Sequence, residues 1–341
     1  KFYDSVDALF NISKQTCNIV RNVRSSYEDW QVTYIPHGIA EEDFYPIDDR
    51  YSLMDKFKKF KSDAMQNKDK DFVIFYNARN IRRKLPGDIV YSYRTFCDSL
   101  SKEDADKCLL LMHTQPIDEN GTDLPELVSS LCPDYDVQFS HGKLEREQLN
   151  WLYNCADVSI LISSNEGFGL MGAETLMCGV PLIVNVSGGM QDYCGFKKED
   201  GTHLTHEDYT TEWGSNHDGR YKDHGEWVFP VWPTSRSIQG SPMTPYISDD
   251  RPDFQDVAIQ MKTAWSERGE KLKKRGMAGR EFIINPEHGF TAREMSKRFV
   301  HDIDQTFKNF KPRSRIQITN ATKWVKPKPS FNGLTLSKEI S

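Results

Sequence analysis

Two short apolar runs, Val158–Ile162 and Pro181–Val186, bracket a glycine-rich decapeptide, Asn165-Glu166-Gly167-Phe168-Gly169-Leu170-Met171-Gly172-Ala173-Glu174. Each run has the length and β-branched character of a buried strand, and Leu170–Cys178 between them has the composition of a helix. Strand, glycine turn, helix and strand form a right-handed crossover, which needs a parallel sheet. The turn is thereby placed at the carboxyl edge of that sheet, where ligands of open α/β sheets bind. Backbone N–H groups at such a helix start attract anions, and Gly167, Gly169 and Gly172 allow a phosphate to approach closely. Glu166 stands at the mouth of the turn, placed to hold a neutral polyol. Glu174 lies about one helical turn inside, where a carboxylate can accept two hydrogen bonds from a ribose diol. The plainer alternative is a helix start with acidic dipole complements; a carboxylate on each side of three glycines exceeds what helix entry requires.

The rest of the chain supplies the context for that sheet. A helix over 4–22 is followed by strand Val32–Ile35, a helix over about 50–68 and strand Phe72–Tyr76. Helix 88–100, strand Cys108–Met112, helix Leu124–Leu131, strand Val137–Ser140 and helix 145–154 then lead into the decapeptide region. Strands alternating with helices predict an α/β fold, a doubly wound parallel sheet of Rossmann-like form with a helical C-terminal segment. Residues 196–250 break the pattern: polar, aromatic and rich in Gly, Pro and His, they read as an elaborated loop beside the site, with one strand near Trp227–Phe229. Helices are predicted again over 253–274, 277–284 and 291–307. The segment 311–341 reads as an extended or disordered tail.

Three further loops follow predicted strands. Asn77-Ala78-Arg79-Asn80-Ile81-Arg82-Arg83-Lys84 carries four cations. Fixed cations stabilise the charge that develops on a diphosphate leaving group, Arg as a planar fork and Lys as a point charge; a solvated charge run is the alternative. Gly142, Lys143 and Leu144 form a turn able to lay backbone groups along a nucleobase, or merely to connect strand and helix. Gly188 and Gly189, after Pro181–Val186, repeat the strand–glycine–helix logic and would wrap sugar or phosphate.

Composition narrows the partners. A net charge of -6 gives no basic field for nucleic acid, and no apolar run approaches the roughly 20 residues of a membrane span. Seven scattered cysteines read as free thiols of a reducing compartment, so a cytoplasmic location is expected. Four Asn-x-Ser/Thr triplets, at Asn11, Asn120, Asn185 and Asn320, read as chance, since Asn185 falls on a core strand. His203, His206, His217 and His224, with Asp208, Asp218 and Asp223, match no compact zinc spacing, so no metal is expected.

These residues resemble the retaining GT-B glycosyltransferases of the glycogen-synthase-like class, whose signature is Glu, seven residues, Glu, here Glu166 and Glu174. Asp7–Ser13 is similar to the last element of that family's first domain. Ile35-Pro36-His37-Gly38-Ile39, with Phe44 and Pro46, is similar to its interdomain crossing, with His37 in place of the usual Asn. Arg79 and Lys84 keep the family's offset, although Ala78 replaces a usual glycine. The likeness covers residues 1 to about 195 and about 253–307.

The resemblance implies a hexosyltransferase that takes a hexose from a nucleotide diphosphate sugar to a glycan or lipid-like acceptor. It needs no metal and no cofactor besides the donor. Arg79 and Lys84 would hold the diphosphate and Glu166 the sugar hydroxyls, these three forming the catalytic set. The amides of Gly167, Phe168, Gly169 and Leu170 would line sugar and phosphate, Glu174 the ribose, and the backbone near Lys143 and Leu144 the base. It also implies a domain plan: residues 1–30 as the end of a mostly missing N-terminal domain, 31–290 as the nucleotide-sugar-binding domain, and 291–310 as a helix returning to the missing half. On that plan the chain alone binds donor and transfers poorly. The competing expectations are a nucleotide-sugar-binding module without catalysis, and, more weakly, a nucleotide-sugar epimerase, whose acid–base residues are not found.

Overall fold

The computed structural model describes residues 3–209 and 219–312. A parallel pair comes first: β1 (Leu9–Asn11) and β2 (Val32–Tyr34), with α1 (Lys14–Val23) between them. The expected helix over 4–22 therefore starts ten residues late. Ser13, in extended backbone, caps α1 by accepting from the Thr16 N–H at 3.2 Å, and Ser at that position marks a helix start rather than its interior. Strand β2 pairs with β1 alone and stays outside the main sheet.

After α2 (Met54–Ala64), the main sheet is built from β3 (Phe72–Asn77), β4 (Cys108–His113), β5 (Val137–Ser140), β6 (Val158–Leu161), β7 (Leu182–Asn185) and β8 (Val228–Val231). All neighbours are parallel, in the order β5-β4-β3-β6-β7-β8. Alternation along the strands feeds two cores. Val73, Phe75, Leu109, Leu111, Leu161 and Val184 pack on one face, and Phe72, Ile74, Tyr76, Leu110, Met112, Ile160 and Ile183 on the other. A strand buried on both faces reads as a continuous apolar run, which is why these strands were visible in the sequence.

The connecting helices are α3 (Pro86–Asp98), α4 (Lys102–Asp106), α5 (Leu124–Leu131), α6 (Arg146–Cys155) and α7 (Leu170–Met177). Strand order reverses between β3 and β6, so the loops after these two strands diverge to opposite sides and leave a crevice at the carboxyl edge. The predicted elaborated loop is more ordered than its composition suggests. Besides β8 it contains an antiparallel hairpin, β9 (Ser235–Ser241) and β10 (Thr244–Arg251). The predicted helix 253–274 is two helices, α8 (Phe254–Ser266) and the start of α9 (Glu270–Ile284), separated at Gly269, whose φ of +88° no helix accommodates. The chain closes on α10 (Ala292–Asn309), joined to residues 38–39 by Ala292 N–H to Ile39 O, 2.9 Å, and Ile39 N–H to Phe290 O, 2.8 Å. His217, Asp218 and the tail 313–341 lie outside the described residues.

Candidate functional site

The crevice is walled by two loops that are bonded to each other. After β3, Asn80 is buried and knits its loop to residues 116–122: its amide donates to Thr122 O at 2.6 Å, and its carbonyl accepts from Thr122 N–H at 3.1 Å. Arg82–Lys84 form a single 3-10 turn that ends at Leu85, a non-glycine residue at φ 52°. From this turn the Arg83 carbonyl accepts the Ser164 N–H at 2.8 Å, tying the loop after β3 to the loop after β6.

That tie brings opposite charges together. Glu166, with an 8% exposed side chain, receives the Lys84 ammonium on Oε1 and the Arg83 guanidinium on Oε2, the latter at 3.0 Å. Arg83 also donates to Asn165 O at 3.0 Å. Lys84 and Glu166 therefore stand on one edge and in contact, as the sequence reading requires. Arg79 shares the loop but not the contact: its Nε bonds Asp118 Oδ2 at 2.9 Å, and its side chain is 62% exposed. Asp118 raises the Arg79 guanidinium above its ordinary value, and Arg79 holds the Asp118 carboxyl below the usual range.

Glu174 lies deeper and is held by a relay. Asn77, the last residue of β3, donates from Nδ2 to the Tyr153 hydroxyl at 3.0 Å, and Tyr153 donates to Glu174 Oε2. Burial raises the Glu174 carboxyl above its ordinary value, and the Tyr153 hydrogen bond opposes that rise. A carboxylate held by one oxygen keeps the other for a ligand diol.

The glycine turn is locked from below. Gly169 at φ +83° starts α7, and the Tyr193 hydroxyl donates to its carbonyl at 3.3 Å. Phe168 is buried edge-on against His37, ring centroids 5.3 Å apart, and against Tyr193 at 5.7 Å. No described hydrogen bond takes the N–H of Gly167, Phe168 or Gly169, while Leu170 is half exposed. Gly188 and Gly189 are buried beneath this turn. A methyl group on Gly189 would stand 2.0 Å from Gly167 O, and one on Gly188 2.5 Å from Glu166 O. The Gly189 N–H bonds Glu166 O at 2.9 Å, so its described role is to hold the glutamate loop. Gly142, Lys143 and Leu144 follow β5 at the same carboxyl edge; Gly142 has φ +88° and open space around it. Between β5 and β6 lie three strand spacings, roughly 14 Å.

Asn77, Arg83, Tyr153 and Asn165 were missed as site residues. Arg83 belonged to the basic run already singled out, so position in that run was its only signal. Tyr153 sits on α6 with nothing local to distinguish it from a core aromatic. Among the described residues no three His, Cys, Asp or Glu side chains are arranged to hold a metal ion. Asn185 is fully buried and donates to Ser163 O and Asp250 O, both at 2.9 Å, so its sequon is structural. All seven cysteines are buried and unpaired, and no described helix is long and apolar enough to cross a membrane.

Residues 87–227, from α3 to the start of β8, match the family described as "Family 4 Glycosyltransferase in conflict systems". A stretch of 66 residues is 36% identical to a D-inositol 3-phosphate glycosyltransferase of Xylanimonas cellulosilytica, covering 19% of this chain and 16% of that protein. Among solved structures, sucrose-phosphate synthase from Thermosynechococcus elongatus aligns over 89% of this chain at 18% identity and a TM-score of 0.58. Anabaena HepE, solved in complex with UDP-glucose, aligns over 88% at 12% identity and a TM-score of 0.60. The fold is of the GT-B type. This chain spans 59% and 64% of the length of those two structures.

Proposed function

We propose that this GT-B chain binds a nucleotide diphosphate sugar in the crevice between the loops after β3 and β6 and belongs to a retaining hexosyltransferase. The observation that carries the reading is the contact of Lys84 with Glu166 across the switch point of the sheet. A bound diphosphate is a stronger partner for Lys84 than a single carboxylate is. When it draws Lys84 away, Glu166 Oε1 is freed in a water-poor pocket while Arg83 stays on Oε2, and a hydroxyl of the sugar can take it. Unused N–H groups of Gly167, Phe168 and Gly169 face the same developing charge at the start of α7. Glu174, oriented through Tyr153, accepts from the ribose. The turn at Gly142 to Leu144, on the outer strand, receives the base.

Arg79 takes part by leaving Asp118, a solvent-screened ion pair, and turning onto the diphosphate. Departure of the nucleoside diphosphate from one face, with its phosphate assisting attack on the same face, gives retention. This chemistry needs no metal ion from the protein. The acceptor is a glycan or lipid-like alcohol, the location is cytoplasmic, and a preceding GT-B domain supplies the remainder of the active site. The match over 87–227 and the likeness to HepE, whose structure holds UDP-glucose, support the substrate class.

A thermal-shift panel of UDP-, GDP- and ADP-sugars tests the reading. A ligand bound only by the folded chain raises Tm, and the matching donor is expected to do so at millimolar concentration or below. A flat response across the whole panel overturns it. A second reading is a nucleotide-sugar-binding module without turnover. It separates from the first by release of free nucleoside diphosphate from the bound donor.

A further inference from the structure

The β9–β10 hairpin, which nothing in the glycosyl-transfer reading uses, roofs a cavity of about 780 Å³. Its floor is the loop Asn80–Arg83 and the start of α3, one wall is Leu127 and Leu131 of α5, and the far end is Ser164 and Asn165. The roof follows from strand alternation. Ser237 pairs with Asp249 and Gln239 with Ile247, and residues two apart share a face, so Ser237, Gln239, Ile247, Asp249 and Arg251 all line the cavity.

A two-stranded ribbon is marginal by itself; this one is pinned along β10. Asp249 accepts from Asn165 Nδ2. Asp250, fully buried, accepts from the Ser187 hydroxyl at 3.0 Å, and its N–H reaches Ser164 O at 3.0 Å. Arg251 pairs with Asp88 at 2.7 Å. The hairpin is therefore fastened to the carboxyl edge of β6 and β7 rather than lying loose over it.

The lining has a definite chemistry. Asp88 is matched by Arg251 and Asp249 by an amide. Arg82 is exposed to the cavity and pairs with no carboxylate among the described residues. Arg83 is shared, one face to the cavity and its guanidinium on Glu166. Leu85, Leu127, Leu131, Ile247 and the ring of Tyr91 supply apolar surface, with Leu131 38% and Ile247 40% exposed. A volume of this size, with polar and charged side chains beside an apolar wall, lies in the range of small-molecule sites.

We propose that this cavity is a second ligand site, adjoining the donor crevice and sharing Arg83 and Asn165 with it, for a small molecule that carries a phosphate or carboxylate on an apolar body. The anion sits on Arg82 and the body lies between α5 and the underside of the hairpin. Arg83 links the site to Glu166, so occupancy at one site changes affinity at the other by the same factor in both directions.

Phenyl phosphate is the test ligand, with inorganic phosphate and phenol as separate arms, titrated into the full chain by ligand-observed NMR and thermal shift. Phenyl phosphate is expected to bind at least several-fold more tightly than either fragment, with affinity lost about tenfold in Arg82→Gln. Leu127→Asp is expected to lose it as well. Arg82 makes no described ion pair, so Tm without ligand is expected to hold in Arg82→Gln; the Tm rise given by a nucleotide sugar is expected to hold in Leu127→Asp. No binding at about 20 mM, equal binding by inorganic phosphate, or phenyl phosphate displaced one-for-one by nucleoside diphosphate in both chains each overturns the proposal. A failed nucleotide-sugar panel beside an Arg82-dependent phenyl phosphate response would instead break the donor reading and leave this one standing.

Discussion

The two loops that wall the crevice are built in opposite ways. The glutamate loop is buried, threaded over Gly188 and Gly189 with no room for a methyl group, and backed by Phe168 and Tyr193. The cationic loop is fixed at its base by Asn80, but its charged tips are exposed or partly exposed and engaged with whatever carboxylate is nearest, Asp118 for Arg79 and Glu166 for Lys84. One wall is preorganised; the other, the exchanging wall of the proposed mechanism, is held at its Arg79 and Lys84 tips by side-chain ion pairs. The difference suits a site whose hydrogen-bond acceptors must be in place beforehand, while its cations follow a mobile, highly charged ligand.

The largest expected effect lies on the fixed wall. Glu166→Gln keeps the shape and removes the charge. It is expected to lower turnover of the nucleotide sugar, read as nucleoside diphosphate release, by roughly 100- to 1,000-fold, with donor affinity changed less than tenfold. Parallel losses in both would make Glu166 a mere binding group. Next, Gly189→Ala forces a methyl group against the Gly167 carbonyl and is expected to cost about 2–3 kcal/mol in urea denaturation. A neutral result would mean the loop is not locked.

On the exchanging wall the effects shrink. Lys84→Gln is expected to weaken nucleoside diphosphate binding about tenfold by calorimetry. Asp118→Asn, by releasing Arg79, is expected to strengthen it about two- to threefold. Weakening in Asp118→Asn would show that Arg79 acts from where it stands. A separate expectation concerns pH. Burial pushes the Asp192 carboxyl up to about 6, against the pull of Lys14. The folded chain then binds this proton more readily than the unfolded one, so the group favours folding at low pH, and that contribution is lost as pH rises from about 4 to 6. Asp192→Asn is expected to flatten the fall in stability over that window, whatever its effect on absolute Tm.

Much of this arrangement could be read from the chain. The central strands announce themselves because a sheet covered on both faces needs unbroken apolar runs, and Val158–Leu161 and Leu182–Asn185 are such runs. The placement of Lys84 and Glu166 on one sheet edge was legible because both follow strands that meet at the reversal of strand order; their direct contact was not. The departure of Arg79 to Asp118 was not, since it depends on a loop 39 residues away in sequence. Nor was the hairpin legible: Ser-Arg-Ser-Ile-Gln-Gly-Ser has no apolar period, and its place is fixed by Asp249, Asp250 and Arg251 reaching partners far along the chain. Tyr153 escaped for a similar reason, because a buried aromatic and a carboxylate clamp look the same on a helix.

The interlock of Gly188 and Gly189 with the backbone of Glu166 and Gly167 also limits how this chain can be re-engineered. The crossovers after β6 and β7 are one mechanical part made from two stretches of sequence. A graft that imports the first loop from another sugar specificity without its own underlying turn will meet a mismatched seat. Libraries aimed at altered donor choice should therefore exchange both segments together, or confine variation to the cationic side, whose side chains are free of that interlock.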